Sequence, residues 1–477
     1  MNKLKYLFKN IGFLAISQLG IKLLNFFLVP LYTSVLTTEE YGTYDLFNTT
    51  IALLIPFLTL NIKESTIRFS LSREYNTKQV FSISADYGIK SVIYAAVLLL
   101  VNSIFKFLPV IDNYKWLILL MFVSQVLNGI ITNFVRGLDR LKDIAISSVI
   151  CSLVIIILNI ITLLPLRMGL AGYFVANISG PLIQCIYLFL LCNGWKYIDL
   201  LHINKSLKSE MQSYCTPMIA NSTAWWINGV SDRYIIILFC GTGANGVYSV
   251  ANKIPSILDV FQSIFNQAWT LSAVKEFDPE DKNGFFSKIY NMYNMCMTMM
   301  CSVLIMVSRF MARILYAKNF YAAWQYVPFL IIAVLFGALA GYVGAIFAAK
   351  KNSKIYAYST IAGAAVNIIL NIILIRPFGA LGAAIATAVC YAVIYWVRIR
   401  NALKYIKLRL NLKRDIIVYT MLYVQSVLFL VYTTEYLTLY IIQSGIFLII
   451  SCCFHKEFKE LTEKIILMVR GYIDEKN

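Results

Sequence analysis

The chain is 477 residues long, 59% hydrophobic and only 14% charged, with a mean hydropathy of +0.71. Such a composition excludes a soluble globular domain and places the chain in a membrane. Its net charge of +18 is then read first as membrane topology, and not as a nucleic-acid footprint.

A helix crossing the hydrocarbon needs about 20 mainly apolar residues. Fourteen such stretches are predicted in chain order: 11–35, 44–62, 84–105, 116–135, 144–164, 169–192, 213–240, 247–270, 289–312, 326–349, 355–375, 379–397, 416–434 and 437–454. With the N-terminus inside, the cytoplasmic segments hold 31 of the 42 Lys and Arg and the outer loops hold seven, while Lys22, Lys90, Arg233 and Lys253 fall within helices. That asymmetry predicts cytoplasmic N- and C-termini. The basic start of the first helix is read as retained, not as a cleaved signal. Segment 398–415, with seven basic residues and one acid, is expected to rest on anionic headgroups, docking of an anionic substrate being the sharper alternative. The tail from Lys456 reads as an interfacial amphipathic helix.

Two blocks of sequence occur twice. Gly-x-Tyr-x-x-x-Asn is met at Gly42, Tyr44 and Asn48 and again at Gly246, Tyr248 and Asn252, 204 residues later. Asn159 precedes Pro165 as Asn371 precedes Pro377, at an offset of 212. Recurrence in the same order at nearly the same spacing predicts a duplicated unit of about 200 residues. Each copy holds six helices, an even number, so both enter the membrane from the same side. The expected organisation is an N-terminal bundle over 1–200, its repeat over 205–400, and a segment 401–477 with two extra spans and the tail.

Polar residues line single faces of several helices. Gln18, Lys22 and Asn25 do so on the first, Gln125, Asn128, Thr132 and Arg136 on the fourth, and Asn221, Asn228 and Asp232 on the seventh. The eighth carries Asn252, Ser256, Asp259, Ser263 and Asn266. For the uncharged groups, bonding between helices is as good a reading as substrate contact. An ionised group at the bilayer centre costs roughly 2.5–3.5 kcal/mol, so Lys22 is expected to face a wet cavity or a partner. Arg233 is expected to pair with Asp232 or Asp259, and Lys90 with Asp86 four residues earlier. Pro56 and Pro255 are expected inside helices two and eight, as kinks along a transport path. Gly337, Gly341, Gly344 and Ala348 along the tenth helix read as close packing. The two histidines, His202 and His455, lie far apart, the ten cysteines form no C-x-x-C, and no P-loop is present. No catalytic histidine pair, metal site, disulfide framework or bound ATP is therefore expected.

The opening FKNIGFLAISQLGIKLLNFFLVPLYTSVLTTEEYGTYDLFNTTIALL resembles the polysaccharide transporter family (Wzx-type flippases of O-antigen or capsule repeat units), within the superfamily that also holds the multidrug MATE antiporters and the lipid II flippases. The E-Y-G-x-Y element is its most specific part, and the two-times-six layout extends the likeness to about residue 400. The resemblance implies an all-α fold, a V-shaped pair of six-helix bundles about a central cavity. It implies alternating access, and transfer of a polyprenyl-pyrophosphate-linked oligosaccharide from the inner to the outer leaflet of a bacterial cytoplasmic membrane. The expected partners are that lipid-linked oligosaccharide, membrane lipids and other polysaccharide assembly proteins; a coupling ion, H+ or Na+, is the sole expected cofactor.

Within that family the residues favour an anionic substrate. Between Gly12 and Leu36 the chain has a lysine and no acid, whereas a drug-cation antiporter, the runner-up, needs acids in its cavity. Lys22, Arg233 and Lys253 are the candidates for the pyrophosphate. Gln18, Asn25, Asn48, Asn221, Asn228 and Asn252 suit sugar hydroxyls, which donate and accept at once. Asp45, Asp232 and Asp259 are the candidates for ion coupling. A membrane polymerase or ligase would need a catalytic cluster that the short outer loops lack, and a passive assembly scaffold is the remaining alternative.

Overall fold

The computed structural model describes residues 26–72, 74–106, 109–350, 353–432, 436–460 and 462–463, which contain helices and turns and no strand. Ten helices among the described residues are long and apolar enough to cross a membrane, or eleven if one bent pair counts as a single span. The first expected span lies mostly outside the described residues, and with it Gln18, Lys22 and Asn25. Most of the expected amphipathic tail also lies outside them.

The chain divides into two compact units, residues 1–250 with 315–321, and residues 251–314 with 322–477. In the first, α1 (Val29–Val35) leads into α2 (Thr38–Leu58). Thr37 caps α2 by accepting from the Glu40 amide at 3.1 Å, while the Glu40 carboxylate accepts from the Thr37 amide at 2.9 Å, a reciprocal box that satisfies two orphan donors. Pro56 lies inside α2 as expected. Leu60 and Asn61 take left-handed backbone, and α3 (Ile62–Leu71) leaves at a bend of 59°. Then follow α4 (Thr77–Phe105), α5 (Pro109–Gly137), α6 (Leu141–Leu163), α7 (Gly169–Leu191) and α8 (Lys205–Ala251). α5 packs on α3, α4 and α7, and α6 pairs with α7.

The break expected after residue 240 falls at Gly241 (φ 85°, ψ 172°), a conformation open to glycine, so α8 is two helices that meet at a kink. Contrary to expectation, Pro255 is not inside a helix. It is the N-cap of α9 (Ser256–Lys275), a place where its missing N–H costs nothing.

The second unit continues with α10 (Phe285–Leu315), α11 (Val327–Ala349), α12 (Ser353–Phe378), α13 (Ala380–Ala402), α14 (Leu412–Val431) and α15 (Tyr436–Cys453). α11 packs on α9 and α13, and α12 pairs with α13. The two C-terminal helices are fastened by polar bonds deep in the unit. Gln425 accepts from the Ser302 hydroxyl at 2.9 Å and donates to the Ser302 carbonyl at 3.1 Å, and Gln443 donates to the Gln425 carbonyl at 3.0 Å. At the start of α14, Arg414 binds Asp415 at 2.8 Å, Asn291 at 2.8 Å, and Glu457. The basic segment 398–415 is therefore not wholly headgroup-facing, since Arg398 and Arg414 are both buried. Arg398 donates to Ser359, Thr360 and the Ala340 carbonyl at 2.9–3.0 Å.

Both repeated blocks acquire a physical meaning. The Asn-Pro block is the turn of a helical hairpin, α6–α7 in one unit and α12–α13 in the other. Gly172 lets α7 approach Thr162, and Gly382 lets α13 approach the Leu374 carbonyl, where a Cβ would sit 2.2 Å from the oxygen. The Gly-x-Tyr block joins α2 to α8. A Cβ on Gly42 would lie 1.9 Å from the Thr242 carbonyl oxygen, and one on Gly246 2.0 Å from that of Thr38. Each glycine thus fits against the carbonyl four residues before the other.

Gly42→Ala and Gly246→Ala are each expected to destabilise the protein, by more than the about 1–3 kcal/mol usual for an overpacked core because the clash is with backbone. Gly129→Ala and Gly229→Ala, which meet nothing within 4 Å, should melt like wild type in detergent. Equal melting of all four variants would contradict the close crossing of α2 and α8.

Candidate functional site

The seam between α2 and α8 carries the polar cluster of the first unit. α2 brings Asp45 one turn beyond Gly42, and α8 brings Arg233, Asn245 and Ser249. The Arg233 guanidinium meets the Asp45 carboxylate at 2.9 Å, Ser249 donates to it at 2.6 Å, and Asn245 donates to it at 3.3 Å and to the Gly42 carbonyl at 3.2 Å. Asp232 sits beside this pair, accepting from the Arg233 amide at 2.9 Å and from the Tyr248 hydroxyl. Asp45 and Asp232 are both buried, at 8% and 4% exposure. Further along the seam the Trp226 indole donates to the Thr49 carbonyl at 2.9 Å, Thr50 and Tyr234 share a hydrogen bond at 2.6 Å, and Asn61 donates to Ser222 at 3.2 Å.

The Arg233 side chain therefore forms its ion pair with Asp45, while Asp232 lies beside it and accepts from its amide. The reason is geometric, since the glycine crossing brings α2 to α8 at this level while Asp232 is the adjacent residue on the same helix. Lys90 and Asp86 pair as expected at 2.8 Å, and Lys208 joins the same carboxylate at 2.6 Å. Asn48 accepts from Gln125 at 3.0 Å, linking α2 to α5. Asn128 donates to Gln184 and to the Pro181 carbonyl, both at 3.0 Å. Asn228 is buried and donates to the Ala224 carbonyl at 2.9 Å, while Asn221 is exposed. Sequence reasoning missed Asn245 and Ser249; the available signal was their i, i+4 spacing around Tyr248.

The second unit holds Asn252, Lys253 and Asp259. Lys253 is half-buried in the turn before α9, and its ammonium has no ion-pair partner among the described residues. Asp259 begins a polar face of α9 that lines an open cleft of about 520 Å³ with Gln262, Ser263, Asn266, Gln267 and Thr270. Among the described residues, no group of three or more His, Cys, Asp or Glu side chains is placed to hold a metal ion.

Outside the membrane-spanning segments, the linker before α8 is tied to the start of α4. Lys78 meets Asp199 at 3.0 Å, and His202 approaches the same carboxylate at 3.0 Å. These bonds hold the Asp199 carboxyl below its usual range, at about 2.

The chain is a multi-pass helical protein with charges buried between its spans, and solved flippases and transporters share its fold. It aligns with the lipid II flippase MurJ in an inward closed conformation at TM-score 0.68 and 16% identity, covering 93% of this chain and 98% of that one. An inward-facing multidrug resistance MATE family transporter aligns at 0.64 and 16%, covering 82% and 99%. A MOP superfamily transporter from Pyrococcus furiosus, described by a binding pocket of reversed polarity, aligns at 0.52 and 15%, covering 83% and 96%. The chain belongs to the polysaccharide biosynthesis protein family, whose model matches residues 7–271. Among curated proteins none matches.

Removing one partner of a buried ion pair costs about 3–5 kcal/mol because a charge is left uncompensated. Arg233→Ala is accordingly expected to lower the amount of folded protein in the membrane as well as transport, and Asp45→Asn with Arg233→Gln to recover part of that loss. A double-mutant cycle on melting temperature checks this; additive effects would show that the two charges are not coupled.

Proposed function

We propose that the protein is a flippase that moves a polyprenyl-pyrophosphate-linked oligosaccharide from the inner to the outer leaflet of a bacterial cytoplasmic membrane by alternating access. Membership of the polysaccharide biosynthesis protein family carries this reading, because the fold is common to lipid II flippases and multidrug transporters and does not choose between them. In this scheme the pyrophosphate is drawn by Lys22 and Lys253, ammonium groups able to offer three donors each, while Arg233 acts with Asp45 as a fixed pair. The sugars are met by neutral side chains. Coupling to a proton or to sodium falls to Asp45, Asp232 or Asp259.

Loss of the protein should leave lipid-linked oligosaccharide in the inner leaflet while its synthesis continues. Failure to assemble the lipid-linked unit at all would point to an enzyme instead. Lys22→Glu should export surface polysaccharide less well than Lys22→Ala at equal protein level, since it adds repulsion to lost attraction; a near-normal Lys22→Glu would remove this lysine from the mechanism.

The topology is part of the proposal, with both termini cytoplasmic. Single cysteines at Glu39 and Lys351, in a background without native thiols, should label from opposite sides of the membrane. Labelling of both from outside would overturn it.

A further inference from the structure

α9 lies in the chain between two helices apolar enough to cross a membrane, yet it is itself too polar to do so by composition. Part of its apolar side packs against the second unit. Trp269 donates its indole N–H to the Tyr342 carbonyl at 3.0 Å and stacks on the Tyr342 ring at 4.4 Å, and Phe265 stacks on Tyr293 at 3.7 Å. The opposite side, Asp259, Gln262, Ser263, Asn266, Gln267 and Thr270, is left to the cleft. Polar side chains left without protein partners require water or a polar ligand.

The chemistry of that face discriminates among ligands. A pyrophosphate wants cations, and none of the six residues is basic. An organic cation wants acids and aromatic faces; there is one carboxylate, and the Phe265 and Trp269 rings are stacked on neighbours on the other side of the helix. Amides and hydroxyls offer donor and acceptor together, which matches the hydroxyl groups of a sugar. The six positions follow i, i+3, i+4, i+7, i+8 and i+11, a strip about 16 Å long at 1.5 Å per residue. That shape fits a chain of sugars laid along an open face with about 520 Å³ of space beside it. The side-chain oxygen of Asn266 is buried with no hydrogen-bond partner among the described residues. Its amide nitrogen lies where a Cβ on Gly341 would come within 2.8 Å, so the glycine makes room for it. A buried acceptor at the edge of an open cleft is a place for a ligand hydroxyl.

We propose that the polar face of α9, from Asp259 to Thr270, is a glycan subsite that binds the sugar portion of the transported molecule through its hydroxyl groups. This rests on the flippase reading and deepens it, separating recognition of the sugars from attraction of the pyrophosphate.

The test compares two probes on purified full-length protein: bare polyprenyl pyrophosphate, and the lipid-linked oligosaccharide extracted from cells lacking the protein. Gln262→Leu and Gln267→Leu, each removing hydrogen bonds in the cleft, should together weaken binding of the oligosaccharide probe about tenfold or more. Binding of the bare probe should stay within about twofold of wild type. Gln262→Asn should retain part of the affinity, and melting temperatures report whether the variants fold. If wild type binds both probes and the folded variants bind both normally, or lose both equally, the subsite is overturned and the flippase reading stands. If wild type binds neither probe, the flippase reading falls and the subsite with it. Tetraphenylphosphonium binding that is lost in Asp259→Asn and untouched in Gln262→Leu would assign the cleft to organic cations and overturn the proposal.

Discussion

Two glycines in backbone contact set the distance between α2 and α8, and the polar chemistry of the first unit depends on that distance. Between helices in lipid there is little hydrophobic drive to associate, so close packing and hydrogen bonds must supply the attraction. Gly42 and Gly246 each take the space beside a carbonyl one turn before the other, at Thr242 and Thr38. The arrangement is reciprocal because the motif is duplicated: the same local sequence, arriving twice, presents the same notch on both helices. Only with the backbones this close can Asp45 reach Arg233, Asn245 and Ser249 at once.

That cluster changes how the cations divide their roles. An arginine held by a carboxylate at 2.9 Å, with a serine and an asparagine on the same acid, is committed to that acid. Its guanidinium is a planar fork suited to such fixed pairing. The lysines are different, since an ammonium is a compact charge on a flexible stem and can follow a moving anion. Arg398 and Arg414 repeat the first pattern in the second unit, where each ties together three or more elements. Arg233, Arg398 and Arg414 hold helices together.

Much of the fold was legible because membrane spans announce themselves by composition and length, and the duplication because two blocks recur in register. The break expected after residue 240 is met at Gly241, the residue that leaves helical backbone. Pro255 misled by lying in an apolar stretch, which says nothing of where a helix begins. The partner of Arg233 was illegible for a deeper reason. Asp45 is 188 residues away in the chain, and nothing local distinguishes it from Asp232 or Asp259 until the glycine crossing is known. The motif that carried the answer was visible, but its meaning as a crossing lies in the fold.

The sequence also left a tie at every polar stripe, between side chains that join helices and side chains that meet a ligand. Unsatisfied atoms alone do not break it: Asn159, Asn245 and Asn371 each have a buried side-chain oxygen without a partner. All three are 0–1% exposed and enclosed by helix packing, where no ligand can arrive and the amide nitrogen already bonds across or along a helix. Asn48, Asn128 and Asn245 bond to other elements and so act as joints. Asn266 combines an unmet acceptor with an open cleft along its own helix. Burial without access marks a joint, and an unmet bond with access marks a binding surface; by that criterion the stripe on α9 separates from the rest.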